Sequence, residues 1–247
     1  MRIRTRARDL MAAGHPARDV ATLLDVPVGT LARWRRRLPT DIRPPPECAV
    51  CADQVLPASV DPRYAYVLGQ YLGDGHLVTS ARVPVLRIYS CTDYPRMRVE
   101  ISDAIAAVRG RTPGTVRGSN SDRLVTIQSY WTHWPCLLPQ HGPGRKHERP
   151  IVLADWQQAI VDEHPWPLIC GLIHSDGCRV MNRVVVRGKT YSYPRYLFSN
   201  ESRDIHAILG AALDRVGIAW RKNRPNSISI ARRTAVETMD EHVGPKQ

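Results

Sequence analysis

The chain makes the same short statement twice. "YVLGQYLGDGHLV" runs from Tyr66 to Val78, and "PLICGLIHSDGCRV" runs from Pro167 to Val180. In each, an apolar run of helical length carries small residues four apart, Gly69 and Gly73 in the first, Gly171 and Ser175 in the second. Each then stops on an Asp-Gly pair, Asp74-Gly75 and Asp176-Gly177. Residues four apart share a helix face, and small ones let two helix backbones approach closely. The two helices are therefore expected to pack on each other, with Asp74 and Asp176 side by side when they do so in register. That arrangement is costly. A carboxylate at a helix C-terminus meets the negative end of the helix dipole, and a second carboxylate adds repulsion. A positive partner is expected between them, and a divalent metal held by oxygen, Mg²⁺ or Mn²⁺, is the natural one. Paired carboxylates with such an ion suit phosphodiester hydrolysis. One Asp-Gly after a buried helix would be an ordinary turn; the recurrence of the whole signature argues against that reading.

The segments downstream of the two copies also repeat. After the first come strand-like "VPVLRIYSCT", helical "DYPRMRVEISDAIAAVRG" with Met97, Ile101, Ile105 and Val108 in step, then strand-like "GTVRG" and "SDRLVTIQSY". After the second come "CRVMNRVVVRGK" and "TYSYPRYLFSN", a helix over "SRDIHAILGAALDRVG" capped by Ser202, then "IAWRKN" and "SISIARR". Each half reads helix, two strands, helix, two strands. Asp61 and Pro62 open the first motif helix, and Pro167 opens the second. The expected fold class is α+β: a pseudo-two-fold duplicated αββαββ domain, its halves at 61–150 and 151–247, each an antiparallel sheet with one free face. Alternation places Arg87 and Tyr89 on such a face, with Arg183, Arg187, Lys189, Tyr191 and Arg195 as further basic and aromatic candidates. A two-stranded ribbon fits the DNA major groove.

Charge points the same way. The 247 residues carry a formal net charge of +12, which favours a polyanionic partner, here double-stranded DNA. Residues 1–46 hold ten Arg against four Asp, a surplus that is half the total. Within them "RTRARDLMAAGH", "ARDVATLLDV" and "PVGTLARWRRRL" read as three short helices, with Ala17, Val20, Ala21 and Leu24 on one face. This resembles the helix-turn-helix of bacterial regulators and recombinases, although Asp25 stands where those families usually have Gly. A small all-α helix-turn-helix domain is expected over 1–40. Its third helix would offer Val28, Gly29, Thr30 and Arg33 to the groove and Arg35, Arg36 and Arg37 to phosphates. A three-helix bundle with a solvated basic face is the alternative.

Residues 41–60 form a Pro-rich linker that contains Cys48 and Cys51 as a single C-x-x-C. A zinc site needs four ligands, and Cys136 with His141 or His133 could complete it; otherwise these are ordinary thiols. No apolar run approaches the ~18 residues of a membrane span, and "MRIRTRARDL" lacks an apolar core behind its charges. Neither a membrane partner nor a signal peptide is expected, and the expected location is the cytoplasm, at the nucleoid.

"LGQYLGDG" and "ICGLIHSDG" resemble the two defining motifs of single-chain LAGLIDADG homing endonucleases, and the helix–strand order is similar over residues 60–243. The resemblance implies a monomer with internal pseudo-symmetry that cleaves both strands of a long DNA target through shared divalent ions. It assigns metal binding to Asp74 and Asp176, with the carbonyls of Gly73 and Ser175 as neighbouring donors. It also implies an active-site Lys and a water-ordering Gln. Lys146, one of only four Lys in the chain, is the candidate for the first and Gln128 for the second. The loop "PQHGPGRKHERPI" could equally hold DNA phosphates through Arg145, Lys146 and Arg149. Two further readings belong to the same scaffold: an RNA-binding maturase, and a transcriptional regulator. WhiA-type sporulation regulators combine a helix-turn-helix with a decayed LAGLIDADG fold, but they carry the head at the C-terminus and lack the acids.

Overall fold

Ala17, Val20, Ala21 and Leu24 keep helical step, and the chain is helical there: α1 spans Ala17–Leu24. It ends on Asp25, whose φ of 50° lies in the left-handed region, so this position does adopt the backbone that Gly usually supplies. Ala7, Val20, Ala21 and Leu31 form a small core of their own. The computed structural model describes residues 6, 7, 10, 11, 13–28 and 31 of this N-terminal part, and then residues 61–118 and 122–247. The chain divides into two units, Met1–Glu47 and Cys48–Gln247. Thr30, Arg33, Arg35, Arg36, Arg37, Cys48 and Cys51 lie outside the described residues.

The second unit is organised by two helices with almost no polar side. α2, Arg63–Leu72, is buried at nine of its ten positions, which a helix achieves only when neighbours enclose it all round. The Asp61 carboxylate accepts the Arg63 backbone N–H at 2.9 Å and satisfies one of the donors left open by a helix start. From α2 the chain continues through β1 (Gly75–Val78), β2 (Val85–Cys91), α3 (Pro95–Arg109), β3 (Gly114–Arg117) and β4 (Leu124–Tyr130). A short α4 (Trp134–Leu137), a 3₁₀ turn at Lys146–Glu148 and α5 (Asp155–Glu163) lead to the second copy. There α6 (Pro165–Asp176) is followed by β5 (Gly177–Val186), β6 (Lys189–Ser199), α7 (Arg203–Arg215), β7 (Arg221–Arg224), β8 (Ser227–Ile230) and α8 (Arg233–His242).

Both halves follow the expected αββαββ order, and their sheets share one antiparallel topology, β1-β2-β4-β3 and β5-β6-β8-β7. Leu86, Ile88 and Ile127 from one sheet and Tyr196, Phe198, Ile228 and Ile230 from the other close on the helices to form one core. The expectation differs from the structure in three places. α6 starts at Pro165 and not Pro167, because the earlier proline suits the first helical turn as well. The stretch "SISIARR" ends as a strand at Ile230, and its arginines open α8. α5 and α8 themselves were not anticipated. They pack Ile160, Val161, Ala235, Val236 and Met239 onto the core, and Ala235, Val236 and Met239 do keep helical spacing.

Candidate active site

α2 and α6 cross where neither has a side chain. A Cβ added at Gly69 would lie 2.7 Å from the Leu168 carbonyl oxygen and 2.8 Å from the Leu172 nitrogen; one at Gly171 would strike the Tyr66 carbonyl and lie 3.1 Å from the Gln70 nitrogen. The approach is backbone to backbone. One turn on, a Cβ at Gly73 would meet the Ser175 side chain and come within 3.2 Å of Asp176 Oδ2. The two Asp-Gly ends therefore emerge side by side, as the spacing of small residues predicts.

Each helix end is covered by a lysine. Lys146 Nζ donates to the carbonyls of Tyr71, Leu72 (2.9 Å) and Gly73 (2.6 Å), the last carbonyls of α2, which have no partner within the helix. Lys246 Nζ donates to the Ser175 carbonyl at 2.6 Å. The lysines follow their acids by 72 and 70 residues and are pseudo-symmetric. Sequence reasoning named Lys146 and missed Lys246, although a signal was present: "GPGRK" ends on the first and "GPK" on the second. Arg149 donates to the carbonyls of Gln140, Pro143 and Gly144, so it braces the loop that presents Lys146. The carbonyls of Gly73 and Ser175, nominated as metal donors, accept from the two lysines, and each oxygen keeps a second lone pair.

Burial, and then the charge of Asp176, push the Asp74 carboxyl up to about 6. Asp176 is also raised by burial; the hydrogen bond from Asn200 opposes the shift. Lys146 is lowered by burial to about 8, with Asp176 and Asp74 opposing the shift, and Lys246 is lowered for the same first reason. The two acids differ in their support. Asn200 Nδ2 donates to Asp176 Oδ2 at 2.5 Å, while its own Oδ1 accepts from Ser202 N at 2.7 Å. The pairings Gly75↔Ile88 and Gly177↔Phe198 make Ser90 the counterpart of Asn200, and the Ser90 hydroxyl is buried with no hydrogen-bond partner. Nothing in the sequence marked Asn200.

A raised carboxyl makes a pH prediction. Between about pH 4 and about pH 6 the folded protein keeps on Asp74 a proton that the unfolded chain releases, so metal-free stability contributed by this group falls as pH rises through that interval. Asp74→Asn is expected to remove that slope and to raise metal-free stability at pH 7 by about 2 kcal/mol, read from urea unfolding at the two pH values.

Two cavities flank the acids. One of about 460 Å³ is lined by Gly73, Asp74, Arg145, Lys146, Asp176 and Asn200; the other, about 340 Å³, by Asp74, Tyr89, Tyr94, Arg123, His174 and Lys246. A larger cavity of about 800 Å³ lies beside Trp166 and His242, where Glu100 faces His174 at 3.6 Å and Asp240 is paired with Arg179 at 2.6 Å. Among the described residues no three His, Cys, Asp or Glu side chains gather as a metal cluster. The zinc site that Cys136 and His141 would complete depends on Cys48 and Cys51, which lie outside those residues.

The free face of the first sheet carries Arg87 opposite Gln128 and Tyr89 opposite Thr126. The Gln128 Oε1 accepts from the Tyr130 hydroxyl at 3.2 Å, so Gln128 is a sheet-face residue and does not line either acid cavity. In the second sheet Lys189, Tyr191, Tyr193 and Arg195 share a face with Val186, Val184, Asn182 and Val180. Arg183 pairs with Ser192 on the other face, the one to which Arg179 and Tyr196 belong, and Arg187 occupies the turn with φ of 51°. The sequence-derived basic row is thus split across both sides of the ribbon. Val28 is exposed next to α1.

No family model matches the chain, and no curated protein matches it in sequence. Several solved structures are similar to it. The LAGLIDADG meganuclease I-AabMI bound to uncleaved DNA is 12% identical, with a TM-score of 0.45 over 74% of this chain and 83% of that one. I-SmaMI bound to an uncleaved DNA target in the presence of calcium ions is 8% identical, with a TM-score of 0.45 over 72% and 81%. I-DmoI in complex with DNA and Ca is 14% identical, with a TM-score of 0.42 over 75% and 90%.

Proposed function

We propose that the chain is a site-specific, divalent-metal-dependent double-stranded DNA endonuclease, with Asp74 and Asp176 as the carboxylates that hold the metal. The observation that carries this reading is the pair of half-buried acids brought side by side by a glycine crossing, with one lysine over each helix end. The acids alone destabilise the fold, and a cation between them would relieve both burial and repulsion. Their donor set fits a hard cation such as Mg²⁺, which is commonly bound by one or two carboxylates and completes its shell with water and substrate phosphate oxygens. When bound, such an ion supplies a polarised phosphate and a more acidic water.

The chain's own residues then have definite tasks. Asn200 fixes the Asp176 carboxylate. Lys146, whose ammonium is held at about 8, gives its three N–H donors to the end of α2; turning one of them from a helix carbonyl to the departing oxygen would let it deliver a proton near neutral pH, and Lys246 occupies the matching place in the other cavity. Arg145 offers positive charge to the backbone at the rim of the Lys146 cavity. The free faces of the two sheets present Arg87, Tyr89, Lys189, Tyr191 and Arg195 to the duplex, and residues 1–40 act as a helix-turn-helix head that lengthens the footprint.

Supercoiled plasmid carrying a selected site, incubated with Mg²⁺, tests the reading directly: linear product is expected, and intact plasmid under conditions where DNA is bound would contradict it. Lys146→Met and Lys246→Met are each expected to lower cleavage about 100-fold, with nicked circles accumulating if each lysine serves one strand. Unchanged rates in both would remove the lysines from the chemistry.

A further inference from the structure

The two halves differ in their first hairpins. β1 and β2 pair over four positions, Gly75↔Ile88 to Val78↔Val85, whereas β5 and β6 pair over ten, Gly177↔Phe198 to Val186↔Lys189. The longer ribbon closes through Arg187 and Gly188, at φ of 51° and 77°, the two positive values that a tight hairpin turn with the native strand twist requires. Its outer end is apolar and uncovered: Val184 is 36% exposed, Val186 48% and Tyr191 52%, all on the free face. Evenly spaced exposed apolar side chains of this kind mark a contact surface. The surroundings identify the partner. Residues 177–199 contain five Arg or Lys and no Asp or Glu, a rim complementary to phosphate and unsuited to a basic or neutral protein surface.

We infer that Val184 and Val186, backed by Tyr191, read thymine methyl groups in the major groove at one end only of the DNA target. The inference rests on the DNA reading above and adds the chemistry and position of recognition. The C5-methyl of thymine is the apolar feature that the major groove displays, and small apolar side chains are its partners. Arg187, at the turn, and Lys189, on the same face as Val186, border these side chains and supply phosphate contacts that fix the ribbon's register. Position comes from strand geometry. Val184 and Val186 lie eight and ten residues beyond Asp176, about 26 to 33 Å at ~3.3 Å per residue, or at most about eight to ten base pairs at ~3.4 Å of axis each, fewer where the ribbon winds with the groove. The short hairpin is paired only as far as Val78, four residues beyond Asp74, about 13 Å, and closes through the connection 79–84. The target is therefore lopsided, with methyl-dependent A·T pairs far from the centre on one side.

The test uses duplexes selected from a randomised library by the full chain and remade with deoxyuridine in place of thymine, one end at a time. Uracil keeps every hydrogen-bonding group and lacks the methyl. Substitution in the outer part of one end, up to about ten base pairs from the centre, is expected to weaken binding about fourfold per contacted methyl, about 15-fold for two. In Val184→Ser/Val186→Ser, which keeps exposure and removes both methyl groups of each valine, that sensitivity is expected to vanish. Val185→Ser, on the opposite face, should retain it. Equal binding of thymine and uracil duplexes overturns the inference, as does undiminished uracil sensitivity in the double variant. A duplex that is bound with this sensitivity but never cut upholds the inference and contradicts the nuclease; a duplex that is cut regardless of its methyls does the reverse.

Discussion

Asp74→Asn/Asp176→Asn is expected to lower DNA cleavage in Mg²⁺ by at least about 10³-fold while leaving DNA binding in place. Asparagine keeps the shape and the oxygen of each side chain but removes the two charges that would hold a divalent ion. Binding should survive because the candidate DNA contacts lie on the sheets and not at the helix ends. The same variant is expected to be more stable than the wild type without metal, since burial works against both ionised carboxylates and the charge of Asp176 works further against that of Asp74. Activity and stability moving in opposite directions is the signature of a functional pair of carboxylates. Two acids retained for packing would be costly to stability when replaced, and calorimetric unfolding alongside the cleavage assay separates the cases.

Gly171→Ala is expected to destabilise the second unit by about 3 kcal/mol or more, read as a lower urea midpoint with an unchanged slope. The new methyl would meet the Tyr66 carbonyl and the Gln70 nitrogen, both backbone atoms of the facing helix, which cannot rotate away. Gly69→Ala should behave alike, against the Leu168 carbonyl at 2.7 Å. Gly114→Ala is the control: its added Cβ would come no nearer than 3.9 Å to any neighbour, the Gln128 carbonyl, and little change is expected. Because the crossing sets the spacing of the acids, a Gly171→Ala protein that still folds should also cut poorly. If it matched the wild type in stability, the close backbone approach would not be the feature that organises the fold.

How much of this was legible without coordinates depended on repetition. The motif helices, their small residues and the two Asp-Gly ends appear twice in sequence, and each appearance supports the other; the αββαββ order could be read for the same reason. Lys146 stood out by the rarity of Lys, whereas Lys246 was passed over although it follows its acid by 70 residues against 72 and ends a similar "GPK"; so short a match gains its meaning only once both lysines are seen over the helix ends. Asn200 could not be found, because its importance comes from β6 register and from the turn that binds its other atoms. Arg149 looked like a phosphate ligand until the carbonyls it donates to were visible. The ribbon arginines misled in another way. Alternation fixes which residues share a face within one strand, but the relation of β5 to β6 depends on a two-residue turn, and this turn sends Arg183 and Arg195 to opposite sides.

The most direct test of the account is a cleavage selection, in which a randomised double-stranded library is incubated with the full chain and Mg²⁺ and every new end is mapped, with Asp74→Asn/Asp176→Asn in parallel. Paired, metal-dependent double-strand ends at a defined sequence, absent from the double variant, are expected. Specific retention of DNA by both folded proteins, with no ends produced by either, would contradict it and leave a DNA-binding protein on the same scaffold.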